Sequence, residues 1–138
     1  MRPLDRMYFA ELIMKKVTYR YDICKIIAIL MKKENEYISL DAQIMLLTEN
    51  HFLPRHLESD FDPQQPLRRG VAAFIFSKAL DIQGGWSIRT FGLNERSAIN
   101  ELVYQGIMSA GNVRDILSGE ELISIFTQSV NHRKNNAP

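Results

Sequence analysis

"FDPQQPLRRGVAAFIFSKAL", residues 61–80, decides how the rest of the chain is read. A polar loop carrying Pro63 and Pro66 runs into two adjacent arginines, Arg68 and Arg69. The chain then turns apolar at almost every position: Val71, Ala72, Ala73, Phe74, Ile75, Phe76, Ala79 and Leu80. A helix that is apolar nearly all the way round belongs in the middle of a bundle. The arginines at its mouth cannot enter a core unpaired, because an isolated buried charge is too costly. They are expected at the rim, with their aliphatic stems lying over apolar surface.

Two other segments follow the same pattern. Residues 20–32, "RYDICKIIAILMK", place Ile23, Ile26, Ile27, Leu30 and Met31 at helical spacing, and Cys24, Ala28 and Ile29 widen the apolar face. Residues 119–128 carry Leu122, Ile123, Ile125 and Phe126. Between these central helices lie two with narrower apolar stripes. Residues 40–50 have Ser39 as N-cap and Asn50 as a left-handed stop; residues 95–105 have Asn94 as N-cap and Gly106 as the stop. The fold class is therefore all-α. The order outer helix, loop, central helix occurs over 39–80 and again over 94–128, a spacing of about fifty residues that signals internal repeats. Alignment of the central helices makes Arg20, Arg69 and Gly119 equivalent, and likewise Asp22, Val71 and Glu121.

The loop before the middle central helix carries a family resemblance. Phe61, Pro63, Leu67, Arg69, Ala72 and Ala73 match, without a gap, the loop-to-helix signature of the S-layer homology domain. That signature runs phenylalanine, any residue, proline, three more residues, an aliphatic, a Thr-Arg-Ala-Glu-like box and a small apolar pair. "AINELVYQGIMSAG", residues 98–111, resembles the family's first helix through Ala98, Ile99, Leu102, Val103, Gly106 and Ile107. "TYRYDICKII" and "LSGEELISIF" are the other copies of the box. The sequence departs from the family in having Asn94 where a tryptophan is usual, Val71 in place of the middle acid, and Gly119 in place of the last arginine. The chain thus reads as two repeats and a fragment, spanning roughly residues 17–128.

The resemblance implies a pseudo-threefold bundle whose inter-repeat grooves bind acidic cell-wall glycans, with the box arginine as the anion contact. On that basis Arg20 and Arg69 are the candidate ligand-binding residues, with Arg68 and Tyr19 as neighbours and the Tyr19 ring lying against a sugar face. The same residue types suit the chemistry independently. A guanidinium beside the free N–H groups of a helix start is a receptor for a carboxylate or phosphate. The competing reading has Arg69 paired with Glu58, Asp60 or Asp62 of its own loop, where a surface ion pair contributes little.

Three domain segments are expected: 1–16, an apolar N-terminal segment; 17–130, the helical domain; and 131–138, a flexible polar tail. "MYFAELIM", residues 7–14, has no repeat counterpart. It is expected either to fill the vacant outer-helix place or to dock on a protein partner or a second copy. Seventeen basic against sixteen acidic side chains create no global field for nucleic acid or anionic membrane. No apolar run reaches the length of a membrane span. The N-terminus does not read as a secretory signal, so a cell-envelope location requires a removed leader.

Nothing in the sequence reads as an enzyme or a cofactor site. No nucleophile–base–acid set and no phosphate or dinucleotide glycine loop stands out. His51 and His56 lack a third metal ligand nearby, and Cys24, the lone cysteine, reads as a small core residue. Ser118 and Glu121 have the spacing of a capping box. Trp86 in "QGGW" is expected to pack back on the bundle. Two functions follow: a noncatalytic envelope module binding a wall polysaccharide or peptidoglycan-linked polymer, or an assembly subunit that uses the same fold to bind protein.

Overall fold

The computed structural model describes residues 2–82 and 92–135. Its helices are α1 (Pro3–Leu12), α2 (Arg20–Leu30), α3 (Leu40–Glu49), α4 (Arg69–Ala79), α5 (Glu95–Tyr104) and α6 (Gly119–Asn135), with one 3-10 turn at Arg55–Leu57. Among the described residues there are no strands, only the isolated bridges Tyr19–Pro66 and Arg68–Ile116. The all-α class expected from the periodicity is the class found. Trp86 lies outside the described residues.

The helix starts follow the capping residues. Ser39 Oγ accepts the Ala42 N–H at 3.1 Å. Asn94 and Ser97 cap each other, at 2.8 and 2.9 Å. Ser118 and Glu121 form the expected capping box, at 3.1 Å in both directions. The helix stops share one device. Lys32, His51, Asp81 and Gly106 adopt positive φ. The next N–H then reaches back to a carbonyl of the last turn: Lys33 to Ala28, Phe52 to Leu47, Ile82 to Ser77 and Ile107 to Leu102, at 2.8 to 3.0 Å. Gly106 is the stop the sequence predicts. Asn50 is not: the left-handed residue is His51, and the Asn50 amide donates to Leu46 O at 2.8 Å.

The helices pack in pairs around α2. α3 lies on α2, α5 on α4, and α1 on α6, while α2 also touches α4 and α6. The lead-ins to the three central helices close a ring of backbone hydrogen bonds. The Thr18 N–H donates to Leu117 O at 3.0 Å, the Leu117 N–H to Leu67 O at 3.0 Å, and the Leu67 N–H to Thr18 O at 2.9 Å. Thr18 and Leu67 immediately precede Tyr19 and Arg68, the cap positions of α2 and α4. Leu117 likewise precedes Ser118, the cap position of α6. These buried polar groups satisfy one another where no solvent could. Around the ring sits one core, in which Ile23, Ile26, Ile27, Ala72, Ile75, Phe76, Leu102 and Leu122 are fully buried.

Among the described residues both end segments are helical. The N-terminal segment follows the first of its two expected courses. As α1 it takes the third outer-helix place, burying Leu12 completely and setting Phe9 against Phe126 with ring centroids 5.1 Å apart. Burial of a leucine is worth roughly 2 kcal/mol, enough to hold a ten-residue helix that would be marginal alone. At the other end, the expected tail from 131 is largely helix. α6 continues to Asn135, and Arg133 donates to Leu30 O at 2.7 Å. Cations in a last turn favour the helix dipole, and this one also satisfies a terminal carbonyl of α2.

Candidate functional site: three seams at the helix starts

At each central helix start, the box position of one unit meets the loop of the next. The backbone contacts repeat. The Arg20 N–H donates to Gln65 O at 2.9 Å, the Arg69 N–H to Asp115 O at 2.7 Å, and the Gly119 N–H to Lys15 O at 2.9 Å. The loops repeat as well: Asp62 Oδ1 accepts the Gln64 N–H, and Asn112 Oδ1 accepts the Arg114 N–H, each at 2.9 Å. The side chains at the three seams differ, and that difference determines what each seam can do.

The Arg69 seam is closed. Arg69 is not at the rim but 6% exposed. Its guanidinium donates to Glu121 Oε2 at 2.5 Å and to Ser109 O at 3.1 Å, and it lies 3.9 Å from Asp115. Neither Glu58, Asp60 nor Asp62 of its own loop is the partner; the acid comes from the following unit. A Cβ on Gly111 would come within 2.3 Å of Arg69 Nε, so the loop grips the side chain. Burial works to raise the Glu121 carboxyl, but the Ser118 N–H and the Arg69 guanidinium outweigh it and hold the group below its ordinary value. A groove of about 300 Å³ remains beside the pair, lined by Gly106, Met108, Ser109, Ser124 and Gln128.

The Gly119 seam has no room for a box arginine. A Cβ at Gly119 would fall 1.6 Å from Leu12 O. The acid of this seam, Asp22, is fully buried and served from its own unit. Lys15 Nζ lies 3.2 Å from both carboxylate oxygens, the Tyr8 hydroxyl donates at 2.7 Å, and the Tyr19 N–H at 2.9 Å. Desolvation opposes the Lys15 charge, yet the Asp22 contact prevails and raises its pKa. Burial and Asp22 together push the Tyr8 hydroxyl strongly upward. Asp5, also fully buried, is held by Arg2 at 3.2 Å and Lys25 at 3.8 Å. Each buried carboxylate thus has the close partners that make its desolvation tolerable.

The Arg20 seam is the open one. The position equivalent to Glu121 here is Val71, and among the described residues no carboxylate lies within ion-pair distance of Arg20. Arg20 sits over the Phe61 ring, 5.8 Å from its centroid, and reaches Asp62 O only at 3.5 Å. Its Nε is buried without a hydrogen-bond partner. The Asp62 carboxyl is lowered chiefly by the Gln64 N–H and the Gln65 amide, with Arg20 a lesser cause. Nearby lies a groove of about 440 Å³ lined by Tyr8, Tyr21, Lys25, Ile38, Gln43 and Gln64.

The other two candidates flank the seams without joining them. Arg68 is exposed and donates to Arg114 O at 2.7 Å, bracing the loop of the third unit. The Tyr19 ring stacks on Tyr21, with centroids 5.4 Å apart and planes 10° apart, so one of its faces is already covered. Lys15 Nζ sits 4.8 Å from the Tyr21 centroid. Sequence reasoning does not find Tyr8, Lys15 and Glu121 as seam partners. The alignment of Asp22, Val71 and Glu121 is visible in the sequence, but not the offset by which a box arginine reaches the acid of the next unit. Cys24 is fully buried, and burial followed by Asp22 pushes its thiol up to about 12. Among the described residues no group of His, Cys, Asp and Glu has the geometry to hold a metal ion, and no helix is long and apolar enough to cross a membrane.

No family model, curated protein or solved structure matches the chain.

Proposed function

We propose that this chain is a noncatalytic binding module of the S-layer homology type. It takes a carboxylate-bearing cell-wall glycan at one seam, the one headed by Arg20, and works in the cell envelope. The sequence signature around Phe61, Pro63 and Arg69 supports the family reading. So do the packing of three outer helices on three central ones and the ring through Thr18, Leu67 and Leu117. The observation that carries the site is the Arg20 guanidinium, which feels Asp62 at longer range but forms no ion pair among the described residues. Arg69 is spent on Glu121 and Gly119 offers no cation, whereas Arg20 has no carboxylate within ion-pair distance among the described residues; a buried Nε without an acceptor is common to both arginines and does not separate them. A carboxylate arriving at the exposed end of the guanidinium would pair its charge, and a charge-assisted contact of this kind contributes about 1.5–3 kcal/mol.

Isothermal titration with purified acidic wall polymer tests this reading. Arg20→Ala is expected to weaken binding by roughly 10- to 100-fold, the equivalent of that contact, with an unchanged melting temperature. Equal affinities for wild type and Arg20→Ala would remove the site assignment, and no affinity for any acidic wall polymer would remove the function.

A second reading, an assembly subunit, rests on α1. Leu4, Met7 and Met14 are 66%, 61% and 81% exposed on and just beyond the helix that closes the ring. Apolar surface of this extent is a common mark of a protein contact. Sedimentation equilibrium of wild type against Met7→Lys decides it: a dimer that dissociates in the variant supports this reading, and a monomer in both rejects self-association.

A further inference from the structure

A second charged cleft lies on the flank of the closed Arg69 seam. It has a volume of about 830 Å³ and is lined by Arg96, Asn100, Gly111, Asn112, Val113 and Arg114. Arg96 stands on the first turn of α5 and Arg114 in the loop before α6, so the two arginines belong to different walls. Both are exposed, and among the described residues neither guanidinium has an ion pair or a hydrogen bond. Among the described residues no carboxylate lines the cleft. The neighbouring acids are engaged behind the lining: Glu95 lies against Gly70 alongside Val113, and Asp115 accepts the Asn112 N–H at 2.9 Å.

The backbone under both arginines is fixed. Arg96 lies within the reciprocal Asn94–Ser97 cap. The Arg114 N–H is held by Asn112 Oδ1 at 2.9 Å, and its carbonyl by Arg68 at 2.7 Å. Gly111 is wedged against the Arg69 side chain. Asn112 Oδ1 is engaged, which leaves its amide N–H groups to donate. The cleft therefore presents two guanidinium forks and side-chain amides on rigid supports, with no ion pair to either guanidinium among the described residues.

We infer that Arg96 and Arg114 form a two-arginine clamp for a phosphoryl group. A carboxylate has two oxygens and one charge, which a single guanidinium fork satisfies. A phosphoryl group has three free oxygens and up to two charges, so it can take a fork from each wall. Two like charges facing one empty cleft also repel, and a dianion relieves that repulsion on binding. The opening is large enough for a phosphoryl group carried on a chain or a small molecule. The site is separate from the Arg20 seam and does not depend on the glycan reading.

Titration of the full chain with pyrophosphate, inorganic phosphate and citrate, followed by calorimetry and amide NMR shifts, tests the clamp. Pyrophosphate is expected to bind more tightly than inorganic phosphate and at least tenfold more tightly than citrate, with shifts centred on Arg96, Asn112 and Arg114. Arg96→Ala and Arg114→Ala should each weaken it about tenfold, and the double variant about 100-fold, if each arginine supplies one charge-assisted hydrogen-bonding fork. Arg20→Ala and Arg55→Ala should leave it unchanged, which separates this site from the proposed glycan seam. Absence of pyrophosphate binding, an unaffected double variant, or citrate binding as well as pyrophosphate would each overturn the proposal. A double variant that melts like the wild type rules out unfolding as the cause of any weakening.

Discussion

Gly119→Ala tests the closure of the ring most directly, because two simple rules predict opposite signs. Inside a helix, alanine is favoured over glycine by about 1 kcal/mol, so intrinsic propensity predicts stabilisation. The packing predicts the reverse. A Cβ at this position would lie 1.6 Å from Leu12 O, 2.7 Å from Leu12 C and 3.3 Å from Lys15 O. These atoms are backbone and cannot rotate away, so the end of α1 must retreat by roughly 1.5 Å to reach ordinary van der Waals contact. That retreat breaks the Gly119 N–H to Lys15 O bond of 2.9 Å, at a cost of about 1 kcal/mol. It also draws the fully buried Leu12 out of its site, at about 2–3 kcal/mol for partial exposure and a poorly filled gap. The expected net destabilisation is about 2–4 kcal/mol, against a total stability for a domain this size of about 5–15 kcal/mol. Urea unfolding followed by circular dichroism reads it as a lowered midpoint. Hydrogen exchange should show the α1 amides losing protection before those of α2 and α4. A variant as stable as the wild type, or more stable, would refute the close approach and with it the account of how α1 seals the bundle.

Three further outcomes follow from the seams. Arg69→Ala should destabilise by about 1–3 kcal/mol in urea unfolding; the value is below that for a fully buried pair because the Glu121 side chain is 38% exposed, and an unchanged midpoint would mean that the pair is ornamental. Glu121 has a depressed carboxyl, so its stabilising contribution is fully present above the unfolded value of 4.5 and is lost as pH falls through the lower folded value. Wild type should therefore lose more stability than Glu121→Gln on acidification from pH 5 to about pH 3, and parallel pH profiles would contradict this. Cys24 should resist an aromatic disulfide reagent in the native protein at pH 8 and react at once in denaturant, since its thiol is buried and titrates at about 12; fast native labelling would show that α2 opens readily.

The parts of the fold legible in the sequence are those encoded locally. The central helices are legible because Ile23, Ile26 and Ile27, or Ala72, Ile75 and Phe76, recur at a period only a buried helix uses. Caps at Ser39, Asn94 and Ser118 are legible because their hydrogen bonds span three residues. The stop at residue 51 is obscured because a histidine takes the left-handed position that asparagine or glycine usually fills; the hydrogen bond from Phe52 to Leu47 offsets a cost of about 1 kcal/mol. α1 is hard to read because its buried stripe includes Asp5, a residue that tolerates burial only through partners as distant as Lys25. The placement of Arg69 is hidden for the same reason. A rim position is the correct inference for an arginine without a partner, and Glu121, far along the chain, supplies one.

Gly119 shows how far a local reading can mislead. As a string, glycine in the arginine place suggests a box worn down by drift. In three dimensions that glycine is where the third unit closes on the first, and any side chain there would push α1 away. The missing acid at Val71 then has a different meaning from the missing arginine at Gly119. One backbone arrangement serves all three seams, and at one of them an arginine, Arg69, reaches the acid of the following unit. Keeping both partners gives a neutral, closed seam at Arg69 and Glu121. Removing the cation leaves Asp22, which Lys15 and Tyr8 satisfy from within the unit. Removing the acid leaves Arg20 with a weak carbonyl contact, an aromatic ring and the longer-range charge of Asp62, and with no ion pair among the described residues. Val71 and Gly119 thus leave the arginine without an ion pair at a single seam among the described residues. A ligand recognised there would meet one site rather than three, so binding to a repetitive anionic polymer should have unit stoichiometry per chain and no avidity from within the domain.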